Sequence, residues 1–102
     1  MKQLYKSYEE STNIFKELQE QYPENIKLES IGQTWEKRDI NLITLSNNLK
    51  NADKKPALFY IGTIHAREWI GHELAVEFAN YVLKNLETDP TLKIYLNAST
   101  IY

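Results

Sequence analysis

The sequence predicts an α/β fold, a mixed β-sheet with flanking helices. Three observations carry that expectation. Ile26 and Leu28 alternate with Lys27 and Glu29, and a second β-rich stretch follows at 40–45; the polar turn between them makes a hairpin the most economical arrangement. Residues 57–61, Ala-Leu-Phe-Tyr-Ile, form a continuous apolar run without alternation, the pattern of a strand buried on both faces. After this run an apolar period of 3.6 residues begins near Gly71, which predicts a crossover helix.

In chain order, Ser7-Tyr8-Glu9-Glu10 has the form of a capping box, with Ser7 accepting from the Glu10 amide and the Glu10 carboxylate reaching back. Tyr8, Phe15, Leu18 and Tyr22, with Ile14 beside them, mark one face of the helix it opens, and Pro23 closes it. Trp35 is expected to pack as a lid over the hairpin. Residues 46–55 read as a loop, with Lys54 and Lys55 at a solvated tip. In the crossover helix, Leu74, Ala75, Phe78, Ala79, Val82, Leu83 and Leu86 are expected to face inward. Asp89-Pro90 reads as the N-cap and first position of a short helix burying Leu92, Tyr95 and Leu96, and residues 99–102 as the start of a further strand.

Bulk properties narrow the function classes. The chain has 102 residues, 42% apolar and 25% charged, as in an ordinary globular chain. With no repeats or linkers, residues 1–102 are expected to form one unit. A net charge of −2 gives no basic footprint for nucleic acid or an anionic membrane. No apolar leader or membrane-length run is visible, so a soluble chain without a signal peptide is expected, its compartment open. Cysteine is absent, so any metal must be held by nitrogen and oxygen.

The residues that carry chemistry follow the apolar run. His65 and Glu68, three apart, can turn toward one point and offer a nitrogen and a carboxylate to a divalent cation such as zinc. The pair alone leaves a second reading open: a hydrogen-bonded histidine at a strand end and a carboxylate favoured by the start of a helix. His72 is spaced to join them as a third ligand if the helix begins early enough. If the chain bends near Gly62 instead, His72 is a surface histidine in the helix's first turn.

Context extends the reading. The segment Gly62-Thr63-Ile64-His65-Ala66-Arg67-Glu68-Trp69-Ile70 resembles the first zinc-ligand motif of the metallocarboxypeptidases of the carboxypeptidase A/B type. Upstream, Ser30-Ile31-Gly32-Gln33-Thr34-Trp35-Glu36-Lys37-Arg38-Asp39-Ile40 is similar to that family's hairpin, and the likeness extends from about Tyr8 to Tyr102. The family usually carries glycine where Lys37 stands and tends to have proline at His72.

The resemblance implies that the chain corresponds to the amino-terminal part of a carboxypeptidase-like catalytic domain. His65 and Glu68 would then be two protein ligands of one Zn²⁺ ion. The third ligand, the general base and the carboxylate-binding residues would come later, leaving no catalytic residue within these residues. Arg67 would line the substrate cleft; as a residue it stands equally as a partner in a surface ion pair. The implied reaction is hydrolysis of the C-terminal bond of a peptide or protein by metal-activated water, with the segment alone inactive. The alternative is a non-catalytic module derived from such an enzyme, acting through a partner chain or through self-association by unpaired strands.

Overall fold

The computed structural model describes residues 5–102; residues 1–4, the start of the stretch read for a leader, lie outside them. The element order is α1 (Tyr8–Gln21), β1 (Ile26–Gln33), β2 (Asp39–Leu45), a 3₁₀ segment (Leu49–Lys54), β3 (Ala57–Leu58), α2 (Trp69–Asn85), α3 (Pro90–Ala98) and β4 (Thr100–Ile101). The four strands lie in the order β1-β2-β4-β3. Antiparallel pairs join β1 to β2 and β2 to β4, and a parallel pair joins β4 to β3, so the sheet is mixed as expected.

Local chemistry explains the element boundaries. The capping box forms: Glu10 N–H donates to Ser7 Oγ at 3.1 Å and Ser7 N–H donates to the Glu10 carboxylate at 2.7 Å. Asp89 caps α3 through Thr91 N–H, with Pro90 in the first turn. In the hairpin, Ile26 pairs with Leu45 and Leu28 with Ile43. Its turn puts Lys37 at φ 66°, in the left-handed region that glycine adopts without penalty. Lysine therefore keeps a glycine-type turn at a conformational cost.

One core joins the helices to the sheet: Phe15 and Leu18 of α1, Ile26 of β1, Leu45 of β2, Val76, Ala79, Val82, Leu83 and, just past α2, Leu86, and Leu96 of α3. Burial of side chains such as Ile26, Leu86 and Leu96 contributes about 1.5–3 kcal/mol each. Among the described residues no helix is long and apolar enough to cross a membrane.

Several expectations are corrected. The apolar run is not covered on both faces: β3 is the outermost strand, regular for only two residues, and Leu58, Phe59 (64% exposed), Tyr60 and Ile61 are open to solvent. Continuous hydrophobicity marks a surface that needs cover, but these residues do not supply it. Along α2, Val76 is buried while Leu74 and Phe78 face outward. That helix is apolar on most of its circumference, so periodicity alone does not select the inner stripe. Tyr95 is exposed on α3, and Trp35 is 99% exposed at the hairpin tip, a lid over nothing. Lys55 is not at a solvated tip: its Nζ donates to Ser46 Oγ and to the Leu96 carbonyl, both at 2.8 Å, pinning the 3₁₀ segment to the end of α3.

Candidate metal centre

The segment between β3 and α2 is a loop anchored at both ends. On the strand side, the parallel ladder continues past β3, with Tyr60 N–H donating to the Tyr102 carbonyl at 2.8 Å. On the helix side, α2 begins at Trp69, so Glu68 occupies its N-cap. The base is closed by two of the chain's three glycines. A Cβ on Gly62 would lie 2.5 Å from the Gly71 carbonyl oxygen, and one on Gly71 would lie 2.9 Å from Thr63 N. Backbone touches backbone there, so neither position has room for a side chain.

Two hydroxyls reinforce the closure. Tyr60 Oη donates to the Gly71 carbonyl at 2.9 Å, and Thr63 Oγ1 donates to the Glu68 carbonyl at 3.1 Å. Thr63 has φ 58°. A β-branched residue in the left-handed region stores about 1–3 kcal/mol of strain, and such outliers gather at functional sites.

At the tip, His65 and Glu68 converge. His65 Nδ1 lies 3.2 Å from Glu68 Oε1, and the His65 backbone N–H donates to Glu68 Oε2 at 3.3 Å. Both side chains are open to solvent, 73% and 50% exposed. Although Glu68 stands at the N-cap, its carboxylate makes no capping bond and turns to the imidazole instead. The donor set fits half of a zinc site. Two donors about 2.0–2.2 Å from a zinc ion at a tetrahedral angle stand about 3.3–3.6 Å apart, and the observed separation is just below that edge. Among the described residues no group of three His, Cys, Asp or Glu side chains is placed to hold a metal. Arg67 lies on the same loop, exposed, and among the described residues it enters no ion pair.

His72 is drawn away from this pair. It falls inside α2, whereas His65 precedes the helix, and its Nε2 lies 2.5 Å from Ser11 Oγ of α1. The Ser11 hydroxyl, 2% exposed, donates its proton to the Ser7 carbonyl at 2.9 Å, which leaves the Nε2–H tautomer of His72 to donate to it. His72 is therefore a partly buried tie between α1 and α2, neither a surface residue nor a third ligand.

Two further contacts pin the same helix start. Tyr5 packs edge-on against Trp69 with ring centroids 5.7 Å apart. Lys6 Nζ donates to Glu73 at 2.7 Å and its backbone N–H donates to the same carboxylate at 2.6 Å, while Glu77 stands 3.3 Å from the ammonium. Chiefly through the side-chain bond to Glu73, the Lys6 pKa is raised; the Glu73 pKa is lowered by the side-chain and then the backbone bond from Lys6.

Sequence reasoning singled out the His65–Glu68 pair and missed its supports. Tyr60, Thr63, Ser11 and the contact between Gly62 and Gly71 act through the fold. The available signal was the placement of two scarce glycines on either side of the His65–Glu68 pair.

Residues 11–102 match the profile of the zinc carboxypeptidase family. The chain is 30% identical over 99 residues to carboxypeptidase D of Drosophila melanogaster, covering 96% of this chain and 7% of that protein. It is 30% identical over 101 residues to carboxypeptidase A2 of Rattus norvegicus, covering 96% of this chain and 23% of that one. Among solved structures, thrombin-activatable fibrinolysis inhibitor superposes with a TM-score of 0.85 at 26% identity, covering 96% of this chain and 24% of that one. The bovine form of that protein, in complex with tick carboxypeptidase inhibitor, gives 0.78 at 26% identity, covering 96% of this chain and 29% of that chain. The chain thus spans less than a third of each of these relatives. With its mixed sheet, its strand-to-helix loop and its profile match, the chain belongs to the zinc carboxypeptidase family.

Proposed function

We propose that this chain is the ligand-bearing amino-terminal part of a zinc-dependent metallocarboxypeptidase that hydrolyses C-terminal peptide bonds. The observation that carries the reading is the approach of His65 Nδ1 to Glu68 Oε1, 3.2 Å, on an exposed loop closed at its base. His65 supplies a nitrogen and Glu68 an oxygen to the ion. When bound, zinc polarises a carbonyl and lowers the pKa of its water. A catalytic centre of this kind takes three protein ligands plus water, so the third ligand and the proton-accepting carboxylate come from outside these 102 residues. Arg67, exposed and free of ion pairs among the described residues, holds a carbonyl or carboxylate of the peptide. The exposed strip from Leu58 to Ile61 is the face that the remainder of the domain covers.

The test is zinc content and hydrolysis of a peptide with a free C-terminus by the full natural protein. His65→Ala and Glu68→Ala should each lose the metal and the activity, and Arg67→Ala should raise KM. Retention of stoichiometric zinc by His65→Ala, or hydrolysis by residues 1–102 alone, would overturn the reading.

A second reading rests on the same open edge. A non-catalytic module would pair Leu58, Phe59, Tyr60 and Ile61 with a second copy through the unpaired side of β3. Sedimentation showing a stable compact monomer would end it.

A further inference from the structure

We propose that Tyr60 and Thr63 are positioning residues for Glu68, one of the two metal ligands, an inference that rests on reading His65 and Glu68 as those ligands. Exposed side chains gain no rigidity from burial, so the geometry of this pair depends on its backbone. The main chain of Glu68 is held from both sides of the loop: its carbonyl accepts from Thr63 Oγ1 at 3.1 Å and from Gly71 N–H at 3.2 Å. Gly71 is in turn held by Tyr60 Oη at 2.9 Å. Tyr60 belongs to the sheet through its bond to Tyr102, so the two hydroxyls connect Glu68 to the strand ladder by a short continuous path. Thr63 keeps its left-handed backbone, φ 58°, while making the bond that orients Glu68. A serine there would keep the hydroxyl; a glycine would relieve the backbone and remove it.

These substitutions separate positioning from stability. The probe is zinc alone, its dissociation constant read in the full natural protein by competition with a chromophoric chelator, alongside the melting temperature and the visible spectrum of the cobalt-substituted form. Removing groups that orient a ligand typically weakens metal binding by about 10–100-fold. Tyr60→Phe and Thr63→Gly should each weaken zinc in that range and alter the cobalt spectrum. Thr63→Gly should shift the melting temperature little, because relief of the left-handed threonine offsets the lost hydrogen bond and the added unfolded-state entropy, and Thr63→Ser should stay near the parent affinity. The inference is overturned if His65→Ala abolishes binding while Tyr60→Phe and Thr63→Gly bind zinc like the parent. It is overturned equally if Thr63→Ser weakens zinc as much as Thr63→Gly. If His65→Ala itself leaves the affinity unchanged, the ligand reading beneath it is what fails.

Discussion

The contact between Gly62 and Gly71 sets the cost of placing a side chain at either position. In Gly62→Ala the new methyl would sit 2.5 Å from the Gly71 carbonyl oxygen and 2.7 Å from its carbon, where ordinary contacts begin at 3.4 Å. The obstacle is backbone, so no side chain can rotate out of the way, and the strand end and the helix start must part by nearly an ångström. Overpacking of this kind costs about 1–3 kcal/mol, and an unyielding neighbour puts Gly62→Ala near the top of that range. In Gly71→Ala the closest approach is milder, 2.9 Å to Thr63 N. Gly71 also lies within α2, where alanine is favoured over glycine by about 1 kcal/mol, so the net loss should be about 0–2 kcal/mol. Urea unfolding reads both. With a slope of about 1–3 kcal/mol per molar urea, Gly62→Ala should lower the midpoint by roughly 1–3 M. A Gly62→Ala protein within about 0.5 kcal/mol of the parent, or one more stable than Gly71→Ala, would refute the close-contact argument.

Two other positions yield expectations with definite signs. Lys37→Gly should stabilise the protein by about 0.5–1 kcal/mol, because glycine relieves a left-handed cost of about 1–2 kcal/mol and gives part of it back as unfolded-state entropy; a loss of stability on denaturant titration would contradict this. Lys6 and Glu73 should leave a pH signature. Since the folded Glu73 pKa is lowered by its bonds from Lys6, its contribution is complete above the ordinary value of 4.5 and is lost as pH falls through the lowered value. Since the folded Lys6 pKa is raised, its contribution is complete below 10.5 and is lost as pH rises through the raised value. Glu73→Gln should therefore flatten the acid side of the stability profile and reduce the alkaline side, costing about 1 kcal/mol or less at neutral pH, and an unchanged acid side would remove the pair from the account.

Where a local rule determines structure, the sequence was sufficient. The capping box at Ser7, the Asp89-Pro90 start and the alternation around Ile26 and Leu28 each involve neighbours in sequence, and each element forms where those residues place it. Family membership was legible for a related reason, since the motif from Gly62 to Ile70 is contiguous. What escaped depends on distant partners. The tie between Ser11 and His72 spans 61 positions, and nothing in either residue's surroundings announces it. Lys55 looks like a solvated lysine until the end of α3 arrives at 2.8 Å. The run at 57–61 reads as buried in sequence because hydrophobicity reports a demand for cover and not its supply. On α2, an excess of apolar positions hid the choice between Val76 and the outward Leu74 and Phe78.

The exposure of His65 and Glu68 also explains why so much of this chain converges on the start of α2. On the ligand role proposed for them, these groups must meet an ion and a substrate and cannot be fixed by close packing, since the packing would occupy the space those partners need. Rigidity has to reach them through the main chain, from the two ends of a short loop. One end is the ladder beside Tyr102. The other is a helix terminus that would fray if left alone, and it is the point on which Tyr5, Lys6 and Ser11 bear, against Trp69, Glu73 and His72 respectively. Contacts made by Tyr5, Lys6 and Ser11 thereby bear on His65 and Glu68 without touching them. The loop's two glycines carry that restraint across its base, because a close approach of two main chains is stiffer than any contact a flexible side chain could make.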